Sequence, residues 1–235
     1  MPTLRLPALL VLSIAFQCIS PLAFAADIKL PPAISDHMVL QREMPAPIWG
    51  TATAGQTVTV KFRDQQKTAT ADKDGKWLVK LDALKPGGPD DLTVTGKDSI
   101  AIHDVLVGDV WVGSGQSNMG TLAGGYEKND PELAKILAAA PYPQVRIINR
   151  GPWKESTAAN LRSFSALHLS FGIPLQKEIG VPVGLMVGAV GGTPSGAWLS
   201  PDMFAADQAC QGQVKQAINK HIVEPLKAKV ASVMH

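Results

Sequence analysis

The feature that most constrains the fold is a change of sequence pattern near Ile102. Before it, short segments alternate β-branched, aromatic or apolar residues with polar ones, as in Thr57–Phe62, Trp77–Leu81 and Leu92–Thr95. Such alternation is typical of strands with one buried face. Short strands at this spacing, without a helical pattern, predict a small antiparallel β-sandwich over residues 26–103.

Turn residues separate these strands at 54–56, 72–75 and 85–89. The second of these turns, with Asp72, Asp74 and Gly75, also resembles the start of a calcium-binding loop. A complete loop closes with a bidentate Glu at its twelfth position, where this chain has Ala83. The segment is therefore predicted to be a hairpin turn.

After Ile102 the pattern alternates between apolar strands and amphipathic helices, which predicts a parallel sheet covered by helices over residues 104–235. One helix should bury Phe164, Leu167, Phe171 and Leu175 on one face, with a kink or break at Pro174. The strand segments are Val105–Val112, Val145–Ile148 and Val183–Val187, and the helical segments are Pro131–Ala140, Ser163–Ile179 and Ala205–Met234.

The first 25 residues resemble an export signal. An early positive charge at Arg5 precedes an apolar run, which ends in the small-x-small sequence Ala23-Phe24-Ala25. The chain is therefore expected to be periplasmic or extracellular, without a membrane anchor after cleavage. Cys210 alone would then remain, which excludes an intrachain disulfide. The net charge of +2 and the lack of a basic block exclude nucleic acid as an expected partner, whereas the oligomeric state stays open.

The segment most suggestive of chemistry is Gly113-Ser114-Gly115-Gln116-Ser117-Asn118-Met119, which follows the first strand of the predicted parallel sheet. Ligands of such sheets bind at the carboxyl ends of strands, and glycines let the backbone approach them closely. Ser117 is therefore a candidate nucleophile. The alternative is a serine that only caps the following helix.

A second glycine-rich segment, Gly188 to Trp198, follows the strand that ends at Val187. Gly191 or Gly192 could donate a backbone N–H to a developing oxyanion without a side chain in the way. A tight strand-to-helix turn explains the same glycines. Trp198 is either a platform on which a sugar stacks or a core residue.

Five motifs in the same order resemble the sialate O-acetylesterase family, a branch of the SGNH hydrolases. The likeness extends from Leu30 to Ser200. Its motifs are Leu30–Gln41 with Pro47–Gly50, Gly108–Trp111 leading into Ser114–Met119, Phe164–Ala166 with Phe171-Gly172, Gly180–Leu185, and Gly191–Pro194 with Ala197-Trp198.

This resemblance implies a three-layer SGNH-hydrolase-like α/β domain preceded by the β-sandwich. It implies that Ser117 attacks the acetyl carbonyl of an O-acetylated sugar, such as a sialic acid, and releases acetate. The backbone N–H groups of Ser117 and of Gly191 or Gly192 would hold the oxyanion, and Gln116, Asn118 and Trp198 would contact substrate. No metal or other cofactor is expected, since no cluster of ligating residues is apparent.

The chain departs from the family in one respect. The family activates its serine with a His three residues after an Asp, and none of the five histidines here has an Asp at that position. The α/β domain is therefore expected to be truncated, with a sheet incomplete at its C-terminal end and weak or absent esterase activity in this chain alone. The alternative is a non-catalytic glycan-binding protein with a degenerate hydrolase-like domain.

Overall fold

A computed structural model describes residues 28–193, 198 and 200–220. The expected export signal at Met1–Ala25 lies outside the described residues, as does the predicted helical segment beyond residue 220. No helix in the described part of the chain is both long enough and apolar enough to cross a membrane.

The first part of the chain forms strands only. They are β1 (Val39–Gln41), β2 (Ala46–Thr51), β3 (Thr57–Phe62), β4 (Gln65–Thr70), β5 (Lys76–Leu81), β6 (Gly87–Thr95) and β7 (Ser99–Gly113). Strands β4, β3, β6 and β7 pair in that order as an antiparallel sheet, and β2 pairs with β5 in a separate antiparallel pair. Side chains of both sheets, among them Ile48, Phe62 and Leu81, are fully buried in one shared core.

The rest of the chain adds three strands and six α-helices among the described residues. They are β8 (Val145–Asn149), β9 (Lys154–Glu155), β10 (Val183–Val187), α1 (Ser117–Gly120), α2 (Pro131–Ala138), α3 (Ala158–Arg162), α4 (Ala166–Ile179), α5 (Pro201–Ala206) and α6 (Gln208–Ile218). Strand β10 lies between β7 and β8 and is parallel to both. The α/β class is therefore confirmed as a mixed sheet with helices.

Strand β7 belongs to both parts of this sheet. Its first half pairs with β6, and its second half, from Asp109 to Gly113, pairs with β10. The expected domain boundary at residues 103 and 104 thus lies inside a continuous strand. Ile148 and Trp153, from the second part, are also buried in the core of the first part. A β-sandwich as a separate domain is therefore not confirmed.

The segment just before β2 anchors β7 through side chains. The Asp36 carboxylate accepts the His103 N–H at 2.7 Å, and the Gln41 side-chain carbonyl accepts the Val110 N–H at 2.8 Å. Arg42 donates two hydrogen bonds to the carboxylate of Asp109, at 2.8 and 3.2 Å. These contacts fix the strand that leads to Ser117, and they give the Leu30–Gln41 motif a structural role.

The face of α4 that packs inward differs from the prediction. His168, Leu169, Gly172 and Ile173 are buried, whereas Leu167 and Phe171 are 53% and 43% exposed. The helix has two apolar faces, and the one with the small Gly172 packs against Leu185 because a glycine lets the helix come close to the sheet. Pro174 lies inside a helix that continues to Ile179, so of the predicted kink or break the break is wrong.

The end of β7 is less buried than its apolar sequence predicts. Trp111 and Val112 are 44% and 64% exposed. Among the described strands, β1 pairs with β7 only as far as Gly108, so beyond that point β10 is the one strand whose backbone pairs with it. Trp111 packs edge-on against Phe171, with ring centroids 5.1 Å apart.

Two of the predicted turns differ in detail. Residues 72–75 do form a tight turn, in which the Asp72 carboxylate accepts the backbone N–H groups of Asp74 and Lys76. This turn connects β4 to β5, which pair with different partners, so it is not a hairpin turn. In the segment 85–89, residues from Gly87 onward already belong to β6, although their register against β7 is irregular.

Candidate active site

Ser117 lies at the carboxyl end of β7, where the chain leaves the sheet and begins α1. Gly115 makes the turn possible, since its φ of 123° is one that side chains disfavour. Gln116 caps α1, and its side-chain oxygen accepts the Ser117 N–H at 3.0 Å and the Ser117 hydroxyl at 2.7 Å. The Ser117 side chain is thus on the surface and not in the core, as a nucleophile requires.

The loop after β10 runs beside the loop after β7. The Gly188 N–H donates to the Gly113 carbonyl and the Val190 N–H donates to the Gly115 carbonyl, each at 2.9 Å. These two bonds continue the pairing of β7 with β10 beyond the ends of both strands. They bring Gly191 to the same pocket as Ser117.

This pocket has a volume of about 370 Å³, within the range of sites that bind small molecules. It joins residues from α1, the end of β8 and the loop after β10. Its lining consists of Ser117, Gly120, Thr121, Asn149, Arg150, Val187, Ala189 and Gly191. The predicted juxtaposition of Ser117 with the glycine-rich loop is therefore present in the structure.

The other residues predicted for the site do not line this pocket. Gly192 has a φ of 78° and forms the turn after Gly191. Asn118 lines a neighbouring pocket together with Tyr126 and Leu167. Trp198 is 39% exposed, and its ring N–H donates to the Thr193 hydroxyl at 3.0 Å. Their roles, and that of Gln116, stay predictions.

Asn149 and Arg150 line the pocket although neither was predicted from the sequence. They follow β8, whose carboxyl end lies at the same edge of the sheet as those of β7 and β10. The rule that ligands meet parallel sheets at the carboxyl ends of strands could have identified both. Arg150 also has a φ of 56°, which is uncommon for a residue with a side chain.

None of the described histidines hydrogen-bonds to Ser117. His37 pairs with Asp104 at 2.6 Å and His103 with Asp91 at 3.1 Å. His168 is 4% exposed, and its ring lies close to Gly113. The Nδ1 atom of this ring has no hydrogen-bond partner among the described residues. Burial lowers the pKa of His168, so this side chain is neutral near pH 7. His221 and His235 lie outside the described residues.

One cluster outside the pocket has the residue types of a metal site. Possible ligand atoms of His37, Asp104 and Glu155 lie within 4.8 Å of one another. Arg146, however, donates from one guanidinium nitrogen to both carboxylate oxygens of Asp104, at 2.9 and 3.1 Å. Because a guanidinium already neutralises this carboxylate, the arrangement is better described as an ion-pair network between β7 and β8.

The pKa of Asp104 reports the same network. Desolvation is the largest single effect and would raise the pKa of this carboxyl. The hydrogen bond from His37, together with the charge and hydrogen bonds of Arg146, outweighs it and lowers the pKa. Asp104 is therefore ionised at neutral pH.

Ser117 and Gly191 thus line one pocket. Backbone amides near a hydroxyl are the groups that stabilise negative charge where a carbonyl becomes tetrahedral. The Ser117 N–H is engaged by Gln116 in this structure, so that contact has to open before the N–H can donate to an oxyanion.

No family model matches the chain, but curated proteins and a solved structure do. Human sialate O-acetylesterase is 36% identical over 200 residues, which cover 71% of this chain and 38% of the human protein. The rat sialate O-acetylesterase is 34% identical over 71% of this chain and 36% of its own length. The chain thus spans less than two fifths of the length of these curated relatives.

A solved structure shows the same fold. The crystal structure of a carbohydrate acetylesterase from Xanthomonas citri matches with a TM-score of 0.70 and 32% identity. The matched region covers 76% of this chain and 43% of the chain from Xanthomonas citri. By sequence and by fold, the resemblance is confirmed, and the chain is a relative of the sialate O-acetylesterases over about 71% of its length.

Proposed function

We propose that this chain carries the nucleophile and part of the oxyanion site of an esterase that removes O-acetyl groups from sugars. Ser117 attacks the acetyl carbonyl, and its hydroxyl proton passes to a base. The tetrahedral intermediate is held by the backbone N–H groups of Ser117 and of Gly191 or Gly192. The collapse of this intermediate expels the sugar hydroxyl, and water then releases acetate from the serine.

The observation that carries this proposal is the shared pocket of Ser117 and Gly191 at the carboxyl ends of β7 and β10. The names of the relatives support an acetylated carbohydrate, a sialic acid or another sugar, as the substrate. The proposed chemistry needs no metal or other cofactor, because backbone amides stabilise the oxyanion.

The base is the part that the described residues do not supply. Ser117 donates its hydroxyl hydrogen to the amide oxygen of Gln116, which is not basic enough to remove a proton. In serine hydrolases, loss of a triad member lowers the rate by roughly 10⁴- to 10⁶-fold. We therefore expect weak or absent turnover from this chain alone, with full activity dependent on an Asp-x-x-His segment that none of its histidines provides.

A fluorophosphonate probe with intact-mass readout tests the proposal without requiring turnover. Covalent addition at Ser117, lost in Ser117→Ala and retained in Ser170→Ala, is the expected result. Ser170 is a suitable control because it is exposed on α4 and lies outside the Ser117 pocket. Modification that persists in Ser117→Ala would mean that the assignment of the nucleophile is wrong. No modification of the unaltered chain would mean that its Ser117 is not activated, and it would reject esterase chemistry by this chain alone.

A second candidate function is glycan binding without cleavage. The lack of a described histidine bonded to Ser117 favours it. Measurable binding of an acetylated sugar by a chain that the probe does not modify would support this function over the esterase.

We further propose that the protein is exported with cleavage after Ala25, on the basis of the small-x-small sequence there. N-terminal sequencing of protein recovered from the periplasm or medium should begin at Ala26. An intact Met1 on all of the recovered protein would contradict export.

A further inference from the structure

Arg150 differs from the other residues of the Ser117 pocket in its charge. Among the described residues that line this pocket, it is the only one with a charged side chain. A guanidinium without an acidic side chain in the same lining makes the pocket attractive to an anion and unattractive to a cation.

The backbone at Arg150 is held in an unfavourable conformation. Its φ of 56° lies in the left-handed region, which costs a non-glycine residue on the order of 1 kcal/mol. This conformation places the residue immediately after β8 in the lining of the pocket. Strain of this kind persists where the surrounding structure enforces it, and it is concentrated at functional sites.

The guanidinium is fixed on one side and has donors to spare. Its Nη2 donates to the Ala189 carbonyl at 3.0 Å, and this is its only hydrogen bond within the described part of the chain. A guanidinium has five N–H donors in a planar fork, which suits a carboxylate with its two oxygens. The bond to Ala189 orients this fork beside the loop that carries Gly191.

We infer that Arg150 is a specificity-determining residue, which binds a carboxylate on the sugar whose acetyl ester Ser117 attacks. This inference rests on the proposed function of the pocket and deepens it, since it selects acidic sugars over neutral ones. A different role, in which Arg150 stabilises the oxyanion itself, would not distinguish charged from neutral sugars.

Binding of two matched probes tests the inference on the chain as it exists, without requiring turnover. N-acetylneuraminic acid and its methyl ester share one ring, but only the acid carries a negative charge. Titration calorimetry, or ligand-observed NMR if the affinity is low, should show that the acid binds about tenfold more tightly, the effect of a charge-assisted hydrogen bond.

Arg150→Gln should weaken binding of the acid about tenfold and leave binding of the ester unchanged. Arg150→Lys, which keeps the charge but loses the fork, should give an intermediate affinity for the acid. Lys154→Gln is the matched control, because it removes one positive charge from an exposed position on the adjacent strand β9, outside the pocket. Thermal unfolding of each variant checks that the fold is intact.

Equal binding of acid and ester by the unaltered chain, or no measurable binding of the acid, overturns the inference. An equal loss of both ligands in Arg150→Gln also overturns it and assigns Arg150 to the positioning of the Ala189–Gly191 loop. The fluorophosphonate experiment reports on Ser117 separately. Modification of Ser117 without a preference for the acid would thus reject the role of Arg150 while the proposed esterase function stands.

Discussion

The side-chain oxygen of Gln116 accepts two hydrogen bonds from Ser117, one from its hydroxyl at 2.7 Å and one from its backbone N–H at 3.0 Å. The proposed nucleophile and one proposed oxyanion donor therefore bond to the same neighbour. An ester bound at Ser117 has to compete with this contact.

We expect Gln116→Ala to react with a fluorophosphonate about threefold to tenfold faster than the unaltered chain. The reason is that the variant frees the Ser117 N–H from a bond whose net contribution is about 0.5–1.5 kcal/mol. Time-resolved intact-mass spectrometry measures the rate. Ser170→Ala is the control and should leave the rate unchanged, because Ser170 is exposed on α4 and lies outside the Ser117 pocket. Slower reaction of Gln116→Ala would mean that Gln116 assists the attack instead.

The network of Asp104 with Arg146 should be important for stability. The Arg146 side chain is only 5% exposed, so Asp104→Asn would leave a buried guanidinium without its counter-charge. We expect a loss of about 3 kcal/mol in the free energy of unfolding, measured by urea denaturation. Asp82→Asn, which breaks the exposed pair with Lys67, should have no measurable effect. Equal effects of the two substitutions would show that the buried network stabilises the protein no more than the exposed ion pair does.

Because the pKa of Asp104 is lowered in the folded state, its contribution has a defined pH dependence. The contribution is present above the ordinary pKa of about 3.8 and is lost as the pH falls through the lowered folded value. Between pH 5 and pH 2, the free energy of unfolding should therefore fall less for Asp104→Asn than for the unaltered chain. Parallel acid-denaturation curves would contradict this expectation.

His168 should make the protein less stable in mild acid. Its folded pKa is lowered by burial, so the unfolded chain binds more protons below the ordinary pKa of 6.5. The contribution of His168 to the free energy of unfolding should be constant above pH 6.5. Below that pH it should fall, by at most about 1.4 kcal/mol per pH unit. Thermal unfolding of His168→Leu from pH 7.5 to 5 should show a shallower decline. An identical decline in the variant would assign the effect to other groups.

Gly108 is required because two segments of the chain approach each other closely at this position. A Cβ at this position would collide with the carbonyl oxygen of Pro182, which accepts the Asp109 N–H at 2.9 Å. Gly108→Ala should therefore lower the free energy of unfolding by about 3 kcal/mol, because it adds steric overlap and weakens this hydrogen bond. Gly125→Ala, where no atom lies within 4 Å of the added carbon, is the control. Similar urea midpoints for both variants would contradict the prediction.

Strands with a clear apolar alternation could be predicted from the sequence. Thr57–Phe62 was predicted with the bounds of β3, since its alternate residues Val58, Val60 and Phe62 are fully buried. Strand β4 (Gln65–Thr70) has almost no apolar residues, and it pairs through its backbone at the edge of the sheet, so its sequence carried no such signal.

The buried face of α4 could not be predicted for a related reason. Leu167 and Phe171 have the same helical spacing as Leu169 and Ile173, and hydrophobicity alone does not choose between the two faces. At the site, the order of strands and glycines was enough to place Ser117 near Gly191. The carboxyl-end rule makes Arg150 a candidate, since it follows a predicted strand. That this strand end lies beside those of β7 and β10 depends on β8 pairing with β10, a long-range contact that local patterns do not contain.

Strand β7 joins the antiparallel and parallel parts of the sheet within 15 consecutive residues. Proteolysis or gene truncation at residue 103 would therefore cut a continuous strand and not a linker between domains. Neither fragment would keep all of its backbone partners, so we expect both to be insoluble or degraded when expressed separately. The two parts of the sheet should therefore unfold in one cooperative step. The contacts of Asp36 and Arg42 with β7 are thus as necessary for the position of Ser117 as the loops around it.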